Sequence, residues 1–375
     1  MSAGTERSTL NAAARQGDTP LKELGYLSGW LEEAGPIKSL AIVGSPIDAI
    51  GRAVKRCVGD AALFLVVQNA KEIETLRGGD SGASAAIGAD FDVIDRLVNV
   101  AILRVSGYEG KDTIRRRLQS AARRTEPGGT AVVLTHTKRG AGTQLTMLRE
   151  IFGNGEIAAR GGGGFRLLTA TVTADTTRAP SPATPPGTSR ISEEIGGEAF
   201  EFVTTAAVFS RERIDPGTRL LLETFPAASP RTILDFGCGY GVMGIVLARR
   251  FPSSRVTMVD IDVAAVELAR ANAALNGVGE RTRVVLSDGL NAVPLERFDL
   301  VVTHFPLHIP RGELEHLLIE IRDALDPDGC LCGVMLNAYE LRPLVERVFG
   351  NAETVPAEAG DPAGRAYSIV RACRR

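Results

Sequence analysis

Glycine alternates with other residues in the stretch DFGCGYG, which runs from Asp235 to Gly241. An apolar segment typical of a buried strand precedes it, and the segment VMGIVLARRF that follows is typical of a helix. Glycine lets the backbone turn sharply at such a junction and approach a ligand without a Cβ atom in between. The pattern therefore predicts a cofactor loop between a strand and the N-terminus of a helix.

Acidic residues at three successive strand ends distinguish two cofactors that use such a loop. A dinucleotide would bring a pyrophosphate to the start of the helix, where Asp235 would repel it. The dinucleotide motif also requires its third glycine at the position of Val242. Asp235 would instead attract the amino group of S-adenosylmethionine, while Asp260 is suited to ribose hydroxyls and Asp288 to adenine. We therefore predict S-adenosylmethionine, with NAD as the alternative. The predicted cofactor-binding residues are Asp235, Gly237, Cys238, Gly239, Asp260, Ile261, Asp288, Gly289 and Thr303.

Two histidines stand in VVTHFPLH, which ends another predicted strand. His304 is a candidate hydrogen-bonding partner of a substrate, a candidate general base, or a structural residue of the strand end. A metal site formed by His304, His308 and His316 is disfavoured, because no carboxylate or cysteine stands at ligand spacing. We predict no metal site.

Short apolar strands that alternate with helical patterns would position these residues. In the second half the predicted strands are RTILDFG, SRVTMVD, TRVVLSD, FDLVVTH and GCLCGVML. Alternation with strands buried on both faces predicts an α/β fold with a doubly wound parallel sheet. A short turn near the end of the chain predicts a closing antiparallel strand.

The two halves of the chain resemble each other. EPGGTAVVLTHT, from Glu126, matches DPDGCLCGVMLN, from Asp326, and FDVI, from Phe91, matches FDLV, from Phe298. Ordered matches of this kind predict two copies of one fold, whereas chance similarity of β-rich segments is the alternative.

The first copy lacks the cofactor features of the second. It has IVGSPIDAIG, with Pro46 in the loop, where the second has DFGCGYG, and Gln68 is aligned with Asp260. The proline-rich stretch DTTRAPSPATPPGTSR predicts a semi-extended linker. The predicted organisation is a lead-in over residues 1–30, a degenerate domain over 31–174, the linker over 175–190 and a catalytic domain over 191–375.

On these motifs the second half resembles a class I S-adenosylmethionine-dependent methyltransferase. Nearly the whole chain resembles the tandem-domain small-subunit ribosomal RNA guanine-N2 methyltransferases. The resemblance implies two Rossmann-like domains, of which the first is degenerate and serves substrate recognition or stability. It also implies that Phe209, Ser210 and Asp215 lie near the cofactor pocket, although Asp215 also reads as the cap of a helix. Lys138 and the arginines between positions 115 and 124 are candidates for phosphate contacts.

The resemblance also locates a departure from the family pattern. Amine-methylating enzymes of this class end the fourth strand in Asn-Pro-Pro-Phe, whose Asn orients the target amine toward the methyl group. The matching positions here are His304, Phe305, Pro306 and Leu307. We predict His304, Phe305 and Pro306 as catalytic residues. In this prediction His304 replaces part of the Asn contact or acts as a general base, and Phe305 supplies the stacking surface.

Composition narrows the class of protein. With 375 residues, of which 44% are apolar and 23% charged, the chain has the make-up of a multidomain globular protein. Its apolar runs are too short to span a bilayer. Five scattered cysteines predict no disulfide framework and a cytoplasmic location.

The predicted function is methylation of a nucleobase in ribosomal RNA, with ribosomal RNA or a ribosomal subunit as the partner and no membrane. The net charge of −2 and the altered fourth-strand motif favour an alternative, a small-molecule substrate such as a natural-product intermediate. A third hypothesis is a non-enzymatic RNA-binding or scaffolding module. The intact glycine loop and the acids of the second copy weigh against it.

Overall fold

A computed structural model describes nine segments of the chain, which are residues 23–77, 82–105, 110–177, 188–205, 212–224, 229–305, 311–336, 341–356 and 367–374. The chain forms two compact units, and each is built on one seven-stranded sheet. The predicted fold class of two α/β doubly wound domains is confirmed.

The part of the chain that builds the first sheet alternates strands and helices until its last two strands. Its main elements are α1 Glu23–Glu33, β1 Ser39–Val43, α2 Ile47–Val58, β2 Ala62–Val67, α3 Ala70–Arg77, β3 Ser84–Ile87, β4 Val98–Arg104, α4 Lys111–Arg124, β5 Thr125–His136, α5 Ala141–Phe152, β6 Glu156–Arg160, β7 Phe165–Thr171 and α6 Ala174–Thr177. The strand order is β3-β2-β1-β4-β5-β7-β6. Strands β1 to β5 pair in parallel, and β7 is antiparallel to both of its neighbours.

The second unit repeats this order after a hairpin. Its main elements are β8 Ser189–Ile195, β9 Glu198–Thr204, α7 Pro216–Glu223, β10 Thr232–Phe236, α8 Val242–Arg250, β11 Arg255–Asp260, α9 Val263–Leu275, β12 Thr282–Leu286, β13 Phe298–His304, α10 Arg311–Ala324, β14 Leu325–Leu336, α11 Arg342–Phe349, β15 Glu353–Pro356 and β16 Tyr367–Cys373. The sheet order is β12-β11-β10-β13-β14-β16-β15, and β8 pairs only with β9 among the described strands. The predicted closing strand is β16, which runs antiparallel to β14.

Burial on both faces explains why the central strands are almost wholly apolar. In β10, which reads TILDF, Ile233 and Leu234 are fully buried, but Ile233 packs in one core cluster and Leu234 in another. Alternate side chains of a strand point to opposite faces, so the sheet needs an apolar layer on each side. Asp235 is the exception in this strand, and it is also fully buried.

The structure corrects one of the internal matches. Phe91–Val93 forms a 3-10 helix, whereas the strand that corresponds to Phe298–His304 is Val98–Arg104, because the two strands are 200 positions apart (298 − 98) and occupy the same place in their sheets. The next strands, from Thr125 and Leu325, have the same separation (325 − 125). The match of FDVI with FDLV was therefore wrong, although the repeat itself is confirmed.

The ends of the domains remain predictions. Helix α1 begins at Glu23, within the predicted lead-in, and β8 begins at Ser189, within the predicted linker. Among the described residues, no helix is both long enough and apolar enough to cross a bilayer.

The prediction that the cysteines form no disulfide is wrong. Cys330 and Cys373 are bonded to each other, with their Cα atoms 4.0 Å apart. They lie 43 positions apart in sequence but face each other in the antiparallel register of β14 and β16. The pairing depends on that register, which spacing along the chain does not reveal. The other described cysteines, Cys57, Cys238 and Cys332, are free thiols.

Candidate active site

The glycine loop after β10 has the backbone conformation that only glycine adopts readily. Gly237, Gly239 and Gly241 have φ values of 69°, 55° and 94°. A Cβ atom added at Gly237 or Gly239 would meet no other atom within 4 Å. Glycine is therefore required there by backbone conformation, and the space beside the loop stays open.

The amide groups of this loop are bonded to the neighbouring strand end. The N–H groups of Gly237 and Cys238 donate to the carbonyl oxygen of Val259, at 2.9 and 3.0 Å, and the N–H of Gly239 donates to Asp260 Oδ2 at 2.8 Å. These three donors are thus engaged within the protein. A loop that binds pyrophosphate needs such donors to face the ligand, so the geometry disfavours a dinucleotide.

Asp235 lies beneath the loop and not at its mouth. Its side chain is fully buried and its Oδ2 accepts the N–H of Gly244 at 2.7 Å, which ties β10 to the first turn of α8. Burial raises the pKa of Asp235 to about 7, although the hydrogen bond from Gly244 opposes that shift. Asp235 is not among the described residues that line the cavity beside the loop. A direct contact of Asp235 with the cofactor amino group stays a prediction, which the burial of this side chain does not favour.

Asp260 ends β11 at the edge of that cavity. Its Oδ2 holds Gly239, as above, and its Oδ1 accepts the N–H of Asp262 at 2.9 Å. Burial raises the pKa of Asp260, while these backbone hydrogen bonds lower it. Each carboxylate oxygen has a second lone pair, so both can still accept a ribose hydroxyl. The next residue, Ile261, is 42% exposed and offers an apolar surface beside them.

The cavity has a volume of about 770 Å³, within the range of small-molecule sites. Besides Asp235, two of the predicted residues, Cys238 and Gly239, are missing from its described lining. The side chain of Cys238 is buried in the core, where burial raises the pKa of the thiol well above its usual value, and Gly239 faces Asp260. The predicted cofactor residues that do line it are Gly237, Asp260, Ile261, Asp288, Gly289 and Thr303.

Two residues that were not predicted as part of the cofactor site also line the cavity. Glu320 and His316 of α10 line it, and His316 Nε2 lies 3.2 Å from Glu320 Oε1. A Cβ atom at Gly289, whose φ is 56°, would lie 2.5 Å from Glu320 Oε2. The positive φ favours glycine at this position, whereas the carboxylate of Glu320 is the end of a flexible side chain and can move aside. An acid and a histidine one helical turn apart were a usable signal in the sequence.

His304, the last residue of β13, also lines the cavity. Its Nδ1 lies 3.2 Å from Thr218 Oγ1 and 3.5 Å from Asp215 Oδ1. Asp215 also caps α7 by accepting the N–H of Gly217 at 2.8 Å, and its Oδ2 accepts the hydroxyl of Tyr367 at 3.1 Å. Asp215 was predicted near the pocket, whereas Tyr367, 152 positions away from it, was missed.

Burial lowers the pKa of His304, and the carboxylate of Asp215 opposes this shift. The desolvation effect is the larger of the two. At neutral pH the imidazole is therefore uncharged and retains one acceptor nitrogen. A hydrogen bond from this imidazole to a substrate, or its action as a general base, stays a prediction.

The other two predicted catalytic residues, Phe305 and Pro306, are not among the described residues that line the cavity. Phe305 is 3% exposed and packs in the core, with its ring so close to the Cα of Gly333 that a Cβ there would overlap it. The role of Phe305 as a stacking surface stays a prediction. Pro306 lies outside the described residues, as do Leu307 and His308.

Two further expectations concern residues elsewhere. Phe209 and Ser210 lie outside the described residues.

Three arginines of α4 form ion pairs with nearby acids: Arg116 with Asp90 at 3.0 Å, and Arg123 and Arg124 with Asp92. Among the described residues, no group of three or more acidic, histidine or cysteine side chains is arranged to hold a metal ion.

Comparison with known proteins points to methyltransferases. Residues 199–360 match the family model described as the methyltransferase small domain. These residues lie in the second unit, and the match agrees with the methyltransferase resemblance of its motifs.

Two curated relatives that match about half of the chain have the same name. Ribosomal RNA small subunit methyltransferase C of Pseudomonas aeruginosa (strain UCBPP-PA14) is 37% identical over 186 residues, which are 48% of this chain and 54% of the relative. The protein of the same name from Pseudomonas entomophila (strain L48) is 36% identical over 179 residues, 47% of this chain and 51% of the relative. The chain thus matches about half the length of these curated relatives.

A solved structure resembles nearly the whole chain. It is the T. thermophilus 16S rRNA N2 G1207 methyltransferase (RsmC) in complex with AdoMet and guanosine, with a TM-score of 0.77 and 22% identity. The likeness covers 93% of this chain and 92% of that one. It shows that the chain has the same two-domain fold.

Proposed function

We propose that this protein is an S-adenosylmethionine-dependent methyltransferase that methylates a nucleobase of ribosomal RNA in the cytoplasm. The observation that carries the proposal is the cavity at the carboxyl edge of the second sheet, where Asp260, Asp288 and His304 meet beside the glycine loop. The names of the relatives support ribosomal RNA, free or within a subunit, as the substrate. We further propose a degenerate domain over residues 31–174 and a catalytic domain over 191–375.

The residues present fit the cofactor. Open space beside Gly237 admits a ligand against the backbone, and Asp260 supplies two acceptor oxygens for vicinal ribose hydroxyls. Ile261 offers an apolar face for adenine, and Asp288 lies on the same cavity to accept from its amino group. The described amide groups of Gly237, Cys238 and Gly239 are bonded within the protein and do not face a pyrophosphate. S-adenosylmethionine has no pyrophosphate and does not need these donors.

Positioning is the main task of the protein groups in this reaction. S-adenosylmethionine, when bound, supplies a methyl group on a positively charged sulfur, which is a good leaving group. Thr303 and His304 end the strand beside the glycine loop, so a substrate held there lies next to the donor site. Holding the two reactants in register removes much of the entropic part of the barrier.

The test uses tritiated S-adenosylmethionine and small ribosomal subunits reconstituted from unmodified ribosomal RNA transcript. We expect label in the RNA, and nuclease digestion then identifies the nucleoside. Free RNA transcript and a small-molecule extract serve as parallel acceptors. Calorimetry of the cofactor alone gives the binding constant. Absence of binding would contradict the proposal.

One observation favours a second candidate, a small-molecule acceptor. The arginines of α4, which were candidates for phosphate contacts, are paired with Asp90 and Asp92. Paired arginines contribute less to RNA affinity, which depends on unneutralised positive charge. Label found only in the small-molecule extract would decide for this candidate.

A further inference from the structure

One carboxylate oxygen at the cavity beside the glycine loop lacks a hydrogen-bond partner. Glu320 of α10 lines this cavity. Its Oε1 lies 3.2 Å from His316 Nε2, whereas its Oε2 is buried and has no hydrogen-bond partner among the described residues. Burying a polar atom without a partner is costly. A donor that enters the cavity would remove this cost, so Glu320 is a candidate ligand-binding residue.

The Oε2 atom of Glu320 lies against the loop that follows β12. A Cβ atom added at Gly289 would be 2.5 Å from it, so Oε2 is close to the backbone of Gly289, the neighbour of Asp288. The last torsion of a glutamate side chain is broad, and rotation about it turns Oε2 toward the cavity without a movement of α10. Asp288 lines the same cavity. Two carboxylates, one from the loop and one from a helix, therefore border adjacent positions of the cavity.

Apolar side chains accompany these two acids. Ile261, which follows β11, and Leu317, three positions before Glu320 on α10, both line the cavity. Strand β11 pairs with β12, and paired strands lie about 4.8 Å apart. A cofactor whose ribose is bound by Asp260 at the end of β11 therefore extends its base toward the loop after β12. Apolar walls with a polar end suit the flat ring of adenine and its amino group.

The amino group of adenine presents two N–H groups to its site. A donor that is buried without an acceptor costs affinity, so both N–H groups need acceptors when the cofactor is bound. The proposed contact with Asp288 satisfies one of them. Glu320 Oε2, on the same cavity, is an acceptor that still lacks a donor. The missing partners on the two sides are complementary.

We propose that Glu320 accepts the second N–H of the adenine amino group and that Asp288 and Glu320 together select adenine. A carboxylate can only accept hydrogen bonds. A purine with an oxygen in place of the amino group would direct its lone pairs at two carboxylates and be repelled. The inference rests on the proposed function, and it adds a specificity-determining residue of α10 to the cofactor site.

The first experiment measures ligand recognition by calorimetry and needs no methyl acceptor. The ligands are S-adenosylhomocysteine, its analogue with hydrogen in place of the amino group, and S-inosylhomocysteine, which has an oxygen there. One hydrogen bond to a charged group changes Kd roughly 10- to 150-fold. With two such bonds, we expect wild type to bind the hydrogen analogue roughly 10²- to 10⁴-fold more weakly than S-adenosylhomocysteine. Equal affinity for these two ligands would overturn the proposal.

The second experiment removes the acceptor on α10. Methionine is close to glutamate in length and flexibility but accepts hydrogen bonds only weakly. We expect E320M to bind S-adenosylhomocysteine roughly 10- to 150-fold more weakly than wild type, without a loss of affinity for the hydrogen analogue. E315M is the matched control, because Glu315 is on the same helix and pairs with Arg347 at 2.8 Å. An E320M variant with the ligand preference of wild type would refute the role of Glu320.

Glutamine at the same position gives a test in the opposite direction. Its amide offers donors as well as an acceptor, so E320Q should bind S-inosylhomocysteine more tightly than wild type and S-adenosylhomocysteine more weakly. A lack of any gain for S-inosylhomocysteine would contradict a contact at this position. H316Q removes only the partner of Oε1 and should keep the ligand preference of wild type. If H316Q reproduces E320M, the effect belongs to the pair on the helix and the proposal fails.

Thermal unfolding without ligand separates binding from folding. Oε2 has no partner to lose, and the pair of Glu320 with His316, whose side chain is 74% exposed, contributes little to stability. E320M should therefore unfold at a temperature no lower than that of H316Q. A lower unfolding temperature, together with an equal loss of affinity for both S-adenosylhomocysteine and the hydrogen analogue, would show that Glu320 is structural and overturn its role in recognition.

The failure of this proposal and that of the proposed function are distinguishable. If neither S-adenosylmethionine nor S-adenosylhomocysteine binds to wild type, the proposed function is contradicted. If both bind but E320M keeps the preference of wild type, only the role of Glu320 is refuted. The double variant D288A/E320M should bind S-adenosylhomocysteine and the hydrogen analogue with the same Kd. A remaining preference would show that another residue recognises the amino group, against the proposal.

Discussion

The carboxyl edges of the two sheets differ at matched positions, although the strands that form them follow the same order. Gly44 and Gly237 follow the central strands, but only Gly237 has open space beside it. A Cβ at Gly44 would overlap the carbonyl oxygen of Arg104. Arg104 corresponds to His304, and it is 7% exposed. The first sheet has closed the space that the second keeps open.

An ion pair closes the first edge. Arg104 Nη2 lies 2.7 Å from Glu23 Oε1 of α1, and its Nη1 donates to the carbonyl oxygen of Ser45 in the loop after β1. The guanidinium of Arg104 thus makes contacts within the protein in the space that corresponds to the open space beside Gly237. The side chain of one strand end thus fills this space without any change in sheet topology.

The register also refines which acid was lost. Val43 pairs with Val66, and Phe236 pairs with Val259, so the counterpart of Asp260 is Val67. The alignment with Gln68 was wrong by one position, but the conclusion that the first copy lacks the ribose acid is unchanged.

The loop glycines give the largest expected effect. In G44A the added methyl group would clash with the backbone of Arg104 at a φ of 117°. Clash and positive-φ strain together cost up to about 6 kcal/mol. In G237A the methyl group meets open space, so unfolding stability should fall by only about 1–2 kcal/mol while cofactor affinity drops. Urea unfolding and calorimetry of both variants measure the difference. Equal destabilisation would show that the two edges are equally closed.

Asp235 makes the second edge sensitive to pH, since its counterpart in the first sheet is Ile42. The pKa of Asp235 is about 7 in the folded protein against 3.8 for the ordinary group. Below both pKa values the Asp235 carboxyl is neutral in the folded and in the unfolded protein. As the pH rises, the carboxyl ionises first in the unfolded protein, which stabilises the unfolded state. Stability should therefore decline between about pH 4 and 7, by about 4 kcal/mol in total.

The measurement is urea unfolding of wild type and D235N across that pH range. Asparagine cannot ionise, so the other titrating groups cancel and the difference between the curves isolates Asp235. Parallel curves would mean that the carboxyl ionises as easily inside the protein as outside.

The disulfide is a third difference between the sheets. Cys330 faces Cys373 where the first sheet has Thr130 facing Thr171. Closing a loop of 43 residues stabilises by about 3–4 kcal/mol in the chain-entropy view. The double variant C330T/C373T, which copies the first sheet, should lose that amount, and a reducing agent should bring wild type down to the same level. C57S, which changes a free thiol, is the control. If the peptide map of the non-reduced wild-type protein shows Cys330 and Cys373 as free thiols, the bond is ruled out.

Local patterns predicted most of the second sheet and its loop, because apolar runs, alternating glycines and strand-end acids are all signals within about ten residues. Contacts between distant segments could not be read in this way. Tyr367 reaches Asp215 only through the pairing of β16 with β14, and Cys373 meets Cys330 by the same pairing. The sequence predicts Asp235 at the mouth of the loop. Its inward direction depends on the register of the whole sheet, which local patterns do not show.

Asp260 gives the smallest of these effects and the most direct test of the cofactor site. D260N keeps the size of the side chain but removes its charge, and hydrogen bonds to charged groups contribute about 1.5–3 kcal/mol. We expect the cofactor Kd to rise roughly 10- to 150-fold, and D260V, which copies Val67, to abolish measurable binding. D299N is the matched control, because Asp299 also holds backbone N–H groups, those of Arg231 and Thr232 at 2.7 and 3.1 Å, but at the opposite edge of the sheet. Its Kd should equal that of wild type. If D260N and D299N bind alike, the ribose does not lie at the end of β11, and the functional contrast between the two sheet edges must rest on the loop and His304 alone.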